Sequence, residues 1–448
     1  MSKKLIIPIA SSILVITGTL FAIRWAKGYR PSRQGLKGTG LLTATSNPSG
    51  AQVFINNKLT TATNDTLNLP PGEYKIEIKK DGYITWEKIL TIEKELVTQT
   101  SATLFPSVPS LTPLTFTGAD NITPSPDGQR ITYVVSDAST QNKNGLYILE
   151  LTDSPLSFQK SARQIARNAP GKDWTTAQLT WSPDSTQILA HFPDDTNFLL
   201  DANRLNDIAA LTDSSARLPV IFTEWEEEIA LRETDLFLKL PQEMQRVATQ
   251  SAKNLYFSPD GTKILYTATA EITIPDTLTP PLPATNTQPE LRELESGNIY
   301  IYDLKEDKNF LLGQEETFPA ELGDFKISSK ILILDPQKLF GNDATPSAYT
   351  FLQKNKTYIE TLDTFATYYT PSALNNYQWF PTSNHILMNQ NDKIEIVEYD
   401  GTNHATLYAG PHEDSFVYPW PNGSKIIILT NLNGGSDRIP NLYSINLK

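Results

Sequence analysis

Hydrophobic and polar residues follow two different patterns along this chain. Residues 5–23 form a run of nineteen positions without a charged side chain. From residue 41 onward the hydrophobic positions come in short stretches, several of which alternate with polar positions and end at Gly, Pro, Asn or Asp. Alternation with a period of two is typical of half-buried β-strands. The pattern therefore predicts an N-terminal helix followed by an all-β body.

The uncharged run predicts a transmembrane helix at residues 5–23. As an α-helix it would extend about 28 Å, close to the roughly 30 Å hydrocarbon core of a bilayer. Two lysines precede it and Arg24-Trp25 follows it, and these residue types lie at the headgroup level. A cleaved signal peptide is the alternative, but its apolar region is about 7–15 residues long and ends in a small-x-small site. This run has nineteen residues and ends at Arg24-Trp25. We therefore expect residues 1–40 to anchor the chain in the lipid bilayer.

The orientation of this anchor has evidence on both sides. Two lysines before the run and five basic residues after it favour a cytoplasmic body,. Long domains, however, are translocated largely regardless of charge. Together with the resemblances below, this leads us to expect a single-pass protein of the cytoplasmic membrane with an extracytoplasmic body.

Residues 41–105 have the pattern of a small β domain. Tyr74, Ile76 and Ile78 alternate with charged residues, and Asp81-Gly82 marks a turn,. About 65 residues can build only a small core, so the pattern predicts a modest β-sandwich.

Four motifs in this stretch resemble the PEGA domain, a small β module of bacterial envelope proteins. They are Pro48-Ser49-Gly50-Ala51, Val53 with Ile55, Pro70-Pro71-Gly72-Glu73-Tyr74, and Asp81-Gly82-Tyr83. The sequence departs from the family pattern in its turns, around Asn56-Asn57 and near residues 61–66. The resemblance implies a non-enzymatic, extracytoplasmic module.

A repeated motif follows a proline-containing linker at residues 106–117. In every copy a proline is followed five positions later by an isoleucine, and each copy has the pattern of a strand, a tight turn and a second strand,. The pairs are Pro126 with Ile131, Pro183 with Ile188, Pro259 with Ile264, Pro381 with Ile386, and Pro421 with Ile426.

The spacing of the repeats predicts a β-propeller at residues 118–448. The prolines lie 57, 76, 122 and 40 positions apart. The two long gaps suggest eroded copies at residues 220–232 and 323–335. Seven units of about 47 residues would match four-stranded propeller blades of about 40–50 residues, and six to eight blades are compatible with the pattern. Residues 111–117 would add a fourth strand to the last blade and close the ring.

Ser-Pro-Asp-Gly followed by alternating apolar residues, as at residues 125–135, resembles the TolB-type β-propeller repeats of bacterial periplasmic proteins. The resemblance covers about three quarters of the chain. It implies a fold but no single activity, because propellers host many. The expected fold class is therefore all-β, with an N-terminal transmembrane helix, a small PEGA-like β-sandwich and a roughly seven-bladed β-propeller.

Charge excludes one class of partner. The chain of 448 residues has 38 basic and 50 acidic side chains, a net charge of -12. Residues 1–40 hold seven basic residues and no acidic one, so residues 41–448 carry a net charge of -19. A body this acidic lacks the basic face that nucleic acid requires, so we expect no nucleic-acid partner.

The sequence contains no recognisable catalytic or metal-binding motif. No G-x-S-x-G elbow is present, and the absence of cysteine excludes disulfides and thiol catalysis,. His191, His385, His404 and His412 form no H-E-x-x-H motif or close pair,. We therefore expect no catalytic residues, no cofactor and no metal, and the ligand-binding residues stay unknown at this stage.

Recurring polar and aromatic positions have two interpretations. Asp127, Asp184 and Asp260 could ring a channel, but an Asp before Gly or Ser more often accepts hydrogen bonds from its own turn. Trp181, Phe257 and Trp379 are expected in the core between blades. Two further features are interpreted as exposed. One is the acidic run of Glu224, Glu226, Glu227 and Glu228 around Trp225, which could otherwise attract a cation or a basic partner. The other is the proline-rich insertion at residues 275–290, which could otherwise be a polyproline recognition segment.

These observations favour a membrane-anchored, non-enzymatic binding or scaffold protein of the bacterial cell envelope that engages a protein or a glycan through its propeller. One alternative is an enzyme of the glycosidase or lyase type with carboxylates on the channel face of the propeller. Another is a sensor scaffold that faces the cytoplasm.

Overall fold

The computed structural model describes residues 3–26, 29–32, 35–152, 162–280, 282, 286–314, 377–390, 393–413, 416–432 and 439–448. Two units are distinguished by their internal contacts. The first unit consists of residues 1–108 and 280–289, and the second unit of residues 109–279 and 290–448.

The first helix, α1 (Lys3–Ala26), corrects the prediction of a membrane anchor. Within the residues that the structure describes, no helix combines the length and the apolar character needed to cross a membrane. The predicted transmembrane helix at residues 5–23, and the single-pass localisation in the cytoplasmic membrane that depended on it, are therefore wrong.

A β-sandwich forms most of the first unit. A short hairpin of β1 (Tyr29–Ser32) and β2 (Gly35–Gly38) precedes it. The sandwich strands are β3 (Gly40–Asn47), β4 (Gln52–Ile55), β5 (Lys58–Ala62), β6 (Asp65–Leu69), β7 (Gly72–Lys79), β8 (Trp86–Ile92) and β9 (Val97–Thr103). One sheet has the order β6-β3-β9 and the other β5-β4-β7-β8, so β8 is an outer strand.

The two sheets of the sandwich enclose one core. Leu42 and Ala44 from β3 pack with Val53 from β4 and with Ile76 and Ile78 from β7, and all five are fully buried. Alternation in β7 explains this arrangement, because every second side chain of a strand points to the same face.

The described part of the second unit forms five antiparallel sheets of three or four strands. The strands are β10 (Leu111–Pro113), β11 (Asp120–Pro124), β12 (Arg130–Val135), β13 (Gly145–Glu150), β14 (Arg163–Arg167), β15 (Gln178–Trp181), β16 (Gln187–His191), β17 (Asn197–Asp201), β18 (Ala252–Phe257), β19 (Lys263–Ala268), β20 (Ile272–Thr273), β21 (Glu293–Leu294), β22 (Asn298–Asp303), β23 (Lys308–Gln314), β24 (Tyr377–Trp379), β25 (His385–Gln390), β26 (Lys393–Glu398), β27 (Ala405–Ala409), β28 (Val417–Pro419), β29 (Lys425–Thr430) and β30 (Asn441–Asn446).

Four of the five sheets join strands in chain order, as the blades of a propeller do. The orders are β11-β12-β13-β14, β15-β16-β17, β18-β19-β22-β23, β24-β25-β26-β27 and β10-β30-β29-β28. In the last sheet β10 pairs with β30, so this sheet combines strands from the two ends of the second unit. The small hairpin β20–β21 lies between β19 and β22.

The turn of every repeat contains a residue in the left-handed region. The φ angles are 71° at Gly128, 60° at Ser185, 66° at Gly261, 60° at Ser383 and 66° at Gly423. The turn fixes the register, so that the isoleucine five positions after the proline lies opposite the end of the preceding strand, as Ile188 does opposite Trp181. All five isoleucines are buried: Ile131, Ile188, Ile264, Ile386 and Ile426.

Neighbouring sheets pack through shared hydrophobic clusters. Ile148 in the first sheet and Trp181 in the second belong to one cluster. Tyr133 in the first sheet packs with Ile427 in the last. A third cluster joins the sheet of β19 to the sheet of β25.

Two helices correct the prediction of an eroded repeat at residues 220–232. The segment lies in α2 (Leu218–Phe237), which is followed by α3 (Gln242–Gln250). Ile221, Trp225 and Ile229 are buried and lie four positions apart, which is the period of a helix face rather than of a strand,. Phe237 and α3 pack against the sheet of β18 and β19.

The blade number stays a prediction. One of the two eroded repeats is helical, and the other, at residues 323–335, lies outside the described residues. Three short 3₁₀ helices complete the described elements: Gln141–Lys143, Ile208–Ala210 and Ser215–Arg217.

Replacing Ser185 by alanine and by glycine should separate the contribution of its hydroxyl group from that of its left-handed backbone conformation. Ser185 Oγ accepts a hydrogen bond from the backbone N–H of Asp127 in the neighbouring sheet, at 3.1 Å. Ser185→Ala loses this bond and keeps a Cβ in left-handed backbone, so we expect the free energy of unfolding of the second unit to fall by about 1 kcal/mol. Ser185→Gly loses the same bond but recovers about 1 kcal/mol from relief of backbone strain. Urea unfolding followed by circular dichroism measures both variants, and equal losses would contradict this account.

Candidate functional site

The recurring aspartates are part of the turns. Ser125 Oγ, Ser182 Oγ and Ser258 Oγ donate hydrogen bonds of 2.5 to 2.7 Å to the aspartate two residues later. Each aspartate also accepts, at 3.0 Å, the backbone N–H two residues beyond itself. Asp127, Asp184 and Asp260 are therefore engaged within their own turns, as the turn interpretation predicts.

Hydrogen bonds lower the pKa of two of these carboxyl groups. Burial alone would raise the pKa of Asp184, but the bonds from Ser182 and Thr186 outweigh it and lower the pKa below its usual value. The pKa of Asp260 is lowered in the same way by Ser258 and Thr262, again against the effect of burial. A lowered pKa keeps these groups ionised as hydrogen-bond acceptors, which suits a structural role and not a general acid.

The recurring tryptophans connect neighbouring sheets. Trp181 Nε1 donates to the carbonyl oxygen of Thr123 at 3.2 Å, and Trp379 Nε1 donates to that of Tyr256 at 2.9 Å. Both rings are buried, as is Phe257. The expected place of the two tryptophans between sheets is confirmed, whereas Phe257 packs in a cluster with α3 and its own sheet.

Two of the four histidines contact asparagine side chains. His191 Nδ1 contacts Asn197 Oδ1, and His412 Nε2 contacts Asn389 Oδ1, both at 3.0 Å. His385 is buried, and His404 is exposed. Among the residues that the structure describes, no group of three His, Cys, Asp or Glu residues could hold a metal ion.

The acidic run lies on α2. Glu224, Glu227 and Glu228 are exposed, whereas Trp225 between them is buried. This agrees with the interpretation of the described part of the run as a solvated face.

A cavity of about 480 Å³ in the second unit is the candidate ligand pocket. Its walls are the loop between β14 and β15 and the turn between β16 and β17. The lining residues are Asn168, Ala169, Gly171, Lys172, Asp173, Thr176, Phe192, Pro193 and Asp194.

Local hydrogen bonds hold the first wall of the ligand pocket in place. Trp174 is fully buried, and its Nε1 donates to the carbonyl oxygen of Arg167 at 3.0 Å. Asn121 Nδ2 donates to the carbonyl oxygens of Trp174 and Ala177 at 2.7 and 2.6 Å. The pocket therefore rests on a buried aromatic anchor, although its own residues are mostly exposed.

Lys172 joins the two walls. Its Nζ contacts Asp194 Oδ2 and Thr196 Oγ1 on the opposite turn. The same ammonium lies 5.1 Å from the ring centroid of Phe192 and 5.7 Å from that of Phe198, within the range of cation–π attraction,. Thr196 Oγ1 also donates to Asp194 Oδ1 at 2.6 Å.

These contacts determine the charge of the ligand pocket. The hydrogen bond from Lys172, followed by that from Thr196, lowers the pKa of Asp194 to about 2. Asp194 is therefore ionised near neutral pH and balances the charge of Lys172, while the exposed Asp173 adds a negative charge. A pocket of this kind suits a ligand that donates hydrogen bonds or carries positive charge.

Sequence reasoning did not single out this pocket. Lys172 and Asp194 lie 22 positions apart, in segments without a repeat motif. The one local signal is the Pro193-Asp194-Asp195-Thr196 turn, in which Asp195 has a φ of 61°. Such turns are common on protein surfaces, so the signal alone would not have identified a site.

One family model matches part of the chain. Residues 39–107 match the model of the PEGA domain. No curated protein matches the chain.

Solved structures that resemble the chain include TolB proteins. A putative TolB from Agrobacterium tumefaciens is 14% identical, with 71% of this chain and 72% of that chain covered and a TM-score of 0.20. TolB from Acinetobacter baumannii is 11% identical, with 84% and 60% covered and a TM-score of 0.20. Oligogalacturonate lyase from Vibrio parahaemolyticus is 8% identical, with 84% and 86% covered and a TM-score of 0.24. Similarity at these TM-scores does not extend to function.

Replacing Lys172 should change the acid dependence of stability. Because the folded-state pKa of Asp194 is about 2 and its ordinary value is 3.8, the stabilisation from this pair is present above about pH 4 and lost as the pH falls towards 2,. We expect the difference in melting temperature between the wild type and Lys172→Met to be largest above pH 4 and to shrink towards pH 2. Thermal unfolding followed by circular dichroism measures it. In an Asp194→Asn background, the effect of Lys172→Met should lose this dependence, and a constant difference in both backgrounds would contradict the assignment.

Proposed function

We propose that this chain is a non-enzymatic binding or scaffold protein that engages a partner through the ligand pocket of its second unit. The observation on which this depends is the construction of the pocket. The loop that connects the first and second sheets is joined by Lys172 and Asp194 to a turn within the second sheet, and a buried tryptophan supports this loop. A site positioned in this way by a rigid scaffold is typical of recognition surfaces on loops.

Charge favours a basic protein segment as the partner. Residues 106–448 carry a net charge of -18. Asp173 is exposed at the ligand pocket, and the Asp194 carboxylate already accepts a hydrogen bond from an ammonium group. A lysine or arginine of a partner would find the same chemistry there, and the acidic surroundings would increase its rate of association. A neutral glycan, the other class expected from the sequence, would gain nothing from this charge.

The proposal of a non-enzymatic role is supported by the recurring aspartates. The alternative of a glycosidase or lyase required carboxylates that converge on a channel. The carboxylates of Asp127, Asp184 and Asp260 instead accept hydrogen bonds within their own turns. A structural role in the turns therefore explains the residues on which the enzyme hypothesis depended.

Binding of a basic peptide tests this function. A fluorescent peptide of alternating lysine and serine should bind the full chain at low salt, and a glutamate–serine peptide of equal length should not. We expect Asp173→Asn and Asp194→Asn each to weaken binding by about five- to tenfold, as for the loss of one charge-assisted contact. Glu224→Gln removes one exposed charge from α2 and should change the affinity by less than about twofold. Fluorescence anisotropy measures all four proteins.

Three results would contradict this function. Equal weakening by Glu224→Gln would mean that the net charge of the chain, and not the pocket, attracts the peptide. Binding of neutral oligosaccharides in place of the lysine peptide would assign the pocket to glycans. Release of new reducing ends from a panel of oligosaccharides by the purified chain would show that the protein is an enzyme.

A further inference from the structure

The proline-rich insertion at residues 275–290 begins and ends in a hydrogen-bonded base. It leaves the second unit after β20 and returns at β21, and these two strands pair with each other. Ile274 N donates to the carbonyl oxygen of Arg292 at 2.9 Å, which continues the pairing towards the insertion. On the returning side, Leu291 N donates to the carbonyl oxygen of Asn309 at 2.7 Å.

Arg292 connects the two sides of this base. Its side chain is only 11% exposed. Its Nη1 donates to the carbonyl oxygen of Pro275 at 2.7 Å, and its Nε donates to Glu290 Oε2 at 2.9 Å. Its Nη2 lies 3.3 Å from Asp307 Oδ1. One guanidinium therefore holds both ends of the insertion and a carboxylate of the underlying sheet, using the fork of donors that distinguishes arginine from lysine.

Asp307 supports the outgoing side of the base. Its carboxylate is 7% exposed and accepts backbone N–H groups of Leu278 and Thr279 at 2.5 and 3.1 Å. The hydroxyl of Tyr302 donates to the same carboxylate at 2.8 Å. Charged groups therefore hold both sides of the base.

The tip of the insertion belongs to the first unit. Residues 280–289 group with residues 1–108 in the division of the chain. Thr91 N donates to Thr287 Oγ1 at 3.2 Å, and Gln288 Nε2 donates to the carbonyl oxygen of Ile89 at 2.8 Å. Both Thr91 and Ile89 are residues of β8, the outer strand of the four-stranded sheet.

These two contacts lie on the open edge of the sheet. Residues two apart in a strand direct their backbone groups to the same side. An outer strand presents such groups as a template for another chain. Here a hydroxyl and a carboxamide of successive residues bond with one N–H and one C=O of that template. The two side chains therefore form the same kinds of hydrogen bond with the edge as the backbone of an added strand would.

We propose that the edge of β8 is a recognition site for an extended peptide in which a hydroxyl residue is followed by a carboxamide residue, and that Thr287-Gln288 occupies it as an internal ligand. This proposal is independent of the ligand pocket, because the two sites share no residue. Thr287-Gln288 is part of the same chain as β8, which lowers the entropic cost of its binding. A partner that offers the same side chains in an extended segment would compete for the edge, as in strand addition to an exposed sheet.

Hydrogen exchange of the full chain tests the occupancy of the edge. The variant Thr287→Val with Gln288→Leu keeps the size of both side chains and removes their polar contacts. We expect the amide of Thr91, resolved by overlapping fragments in mass spectrometry, to exchange about five- to tenfold faster in this variant. Amides of β5, the opposite outer strand of the same sheet, should exchange at the wild-type rate. Unchanged exchange at Thr91 would overturn the proposal.

A synthetic peptide then tests recognition. The probe has the sequence of residues 286–292 and is added at millimolar concentration, the range of effective concentration that a short linker provides. It should restore slow exchange at Thr91 in the variant, whereas a peptide with Val and Leu in place of Thr and Gln should not. If neither peptide restores slow exchange, or if both do, the proposal that the edge recognises these two side chains is wrong. Gln288→Leu alone, which keeps the Thr287 acceptor of the Thr91 N–H, should give an intermediate exchange rate and guards against a folding defect in the double variant.

Discussion

A left-handed residue in each hairpin turn is the constraint on which the second unit depends. Because the turn has one geometry in all five described repeats, it sets one register, and the register carries an isoleucine of every repeat into the core. Where glycine occupies the turn position, the backbone adopts this conformation at little cost. Where serine occupies it, as at Ser185 and Ser383, the hydroxyl accepts the N–H of Asp127 or Asp260 in a neighbouring sheet. The turn thus shapes each sheet and, at these two positions, also links two sheets.

The sheets of the second unit are regular, so the candidate recognition sites lie in the irregular connections between strands. The ligand pocket lies in two connections of the first and second sheets, and the insertion lies in a connection of the third. Each is anchored at its base by groups with little exposure, Trp174 in one case and Arg292 with Asp307 in the other. Burial of Trp174 holds the loop of the ligand pocket in a defined geometry.

Prediction from the sequence worked where a local pattern had one meaning. The proline and isoleucine of each repeat specify a turn and a buried strand, and Asp127, Asp184 and Asp260 act in the turns as their neighbours in sequence suggest. It was wrong where a pattern had two meanings. Residues 220–232 contain an isoleucine at the repeat position, but buried residues four apart make the segment a helix. The uncharged run at residues 5–23 gave the wrong membrane assignment, since apolar composition alone does not show that a helix has the length and character to span a bilayer.

The sequence by itself determined the local elements, namely the sandwich strands of residues 41–105 and the repeated hairpins, and it determined the net negative charge, from which no nucleic-acid partner is expected. These follow from short-range rules, because turn residues and side-chain alternation act over a few positions. Only the tertiary structure decided which distant residues meet. Lys172 reaches Asp194 across two loops, and Thr287-Gln288 reaches β8 from nearly two hundred positions away. Such contacts depend on how whole sheets pack, and a single sequence contains no local signal that specifies this packing.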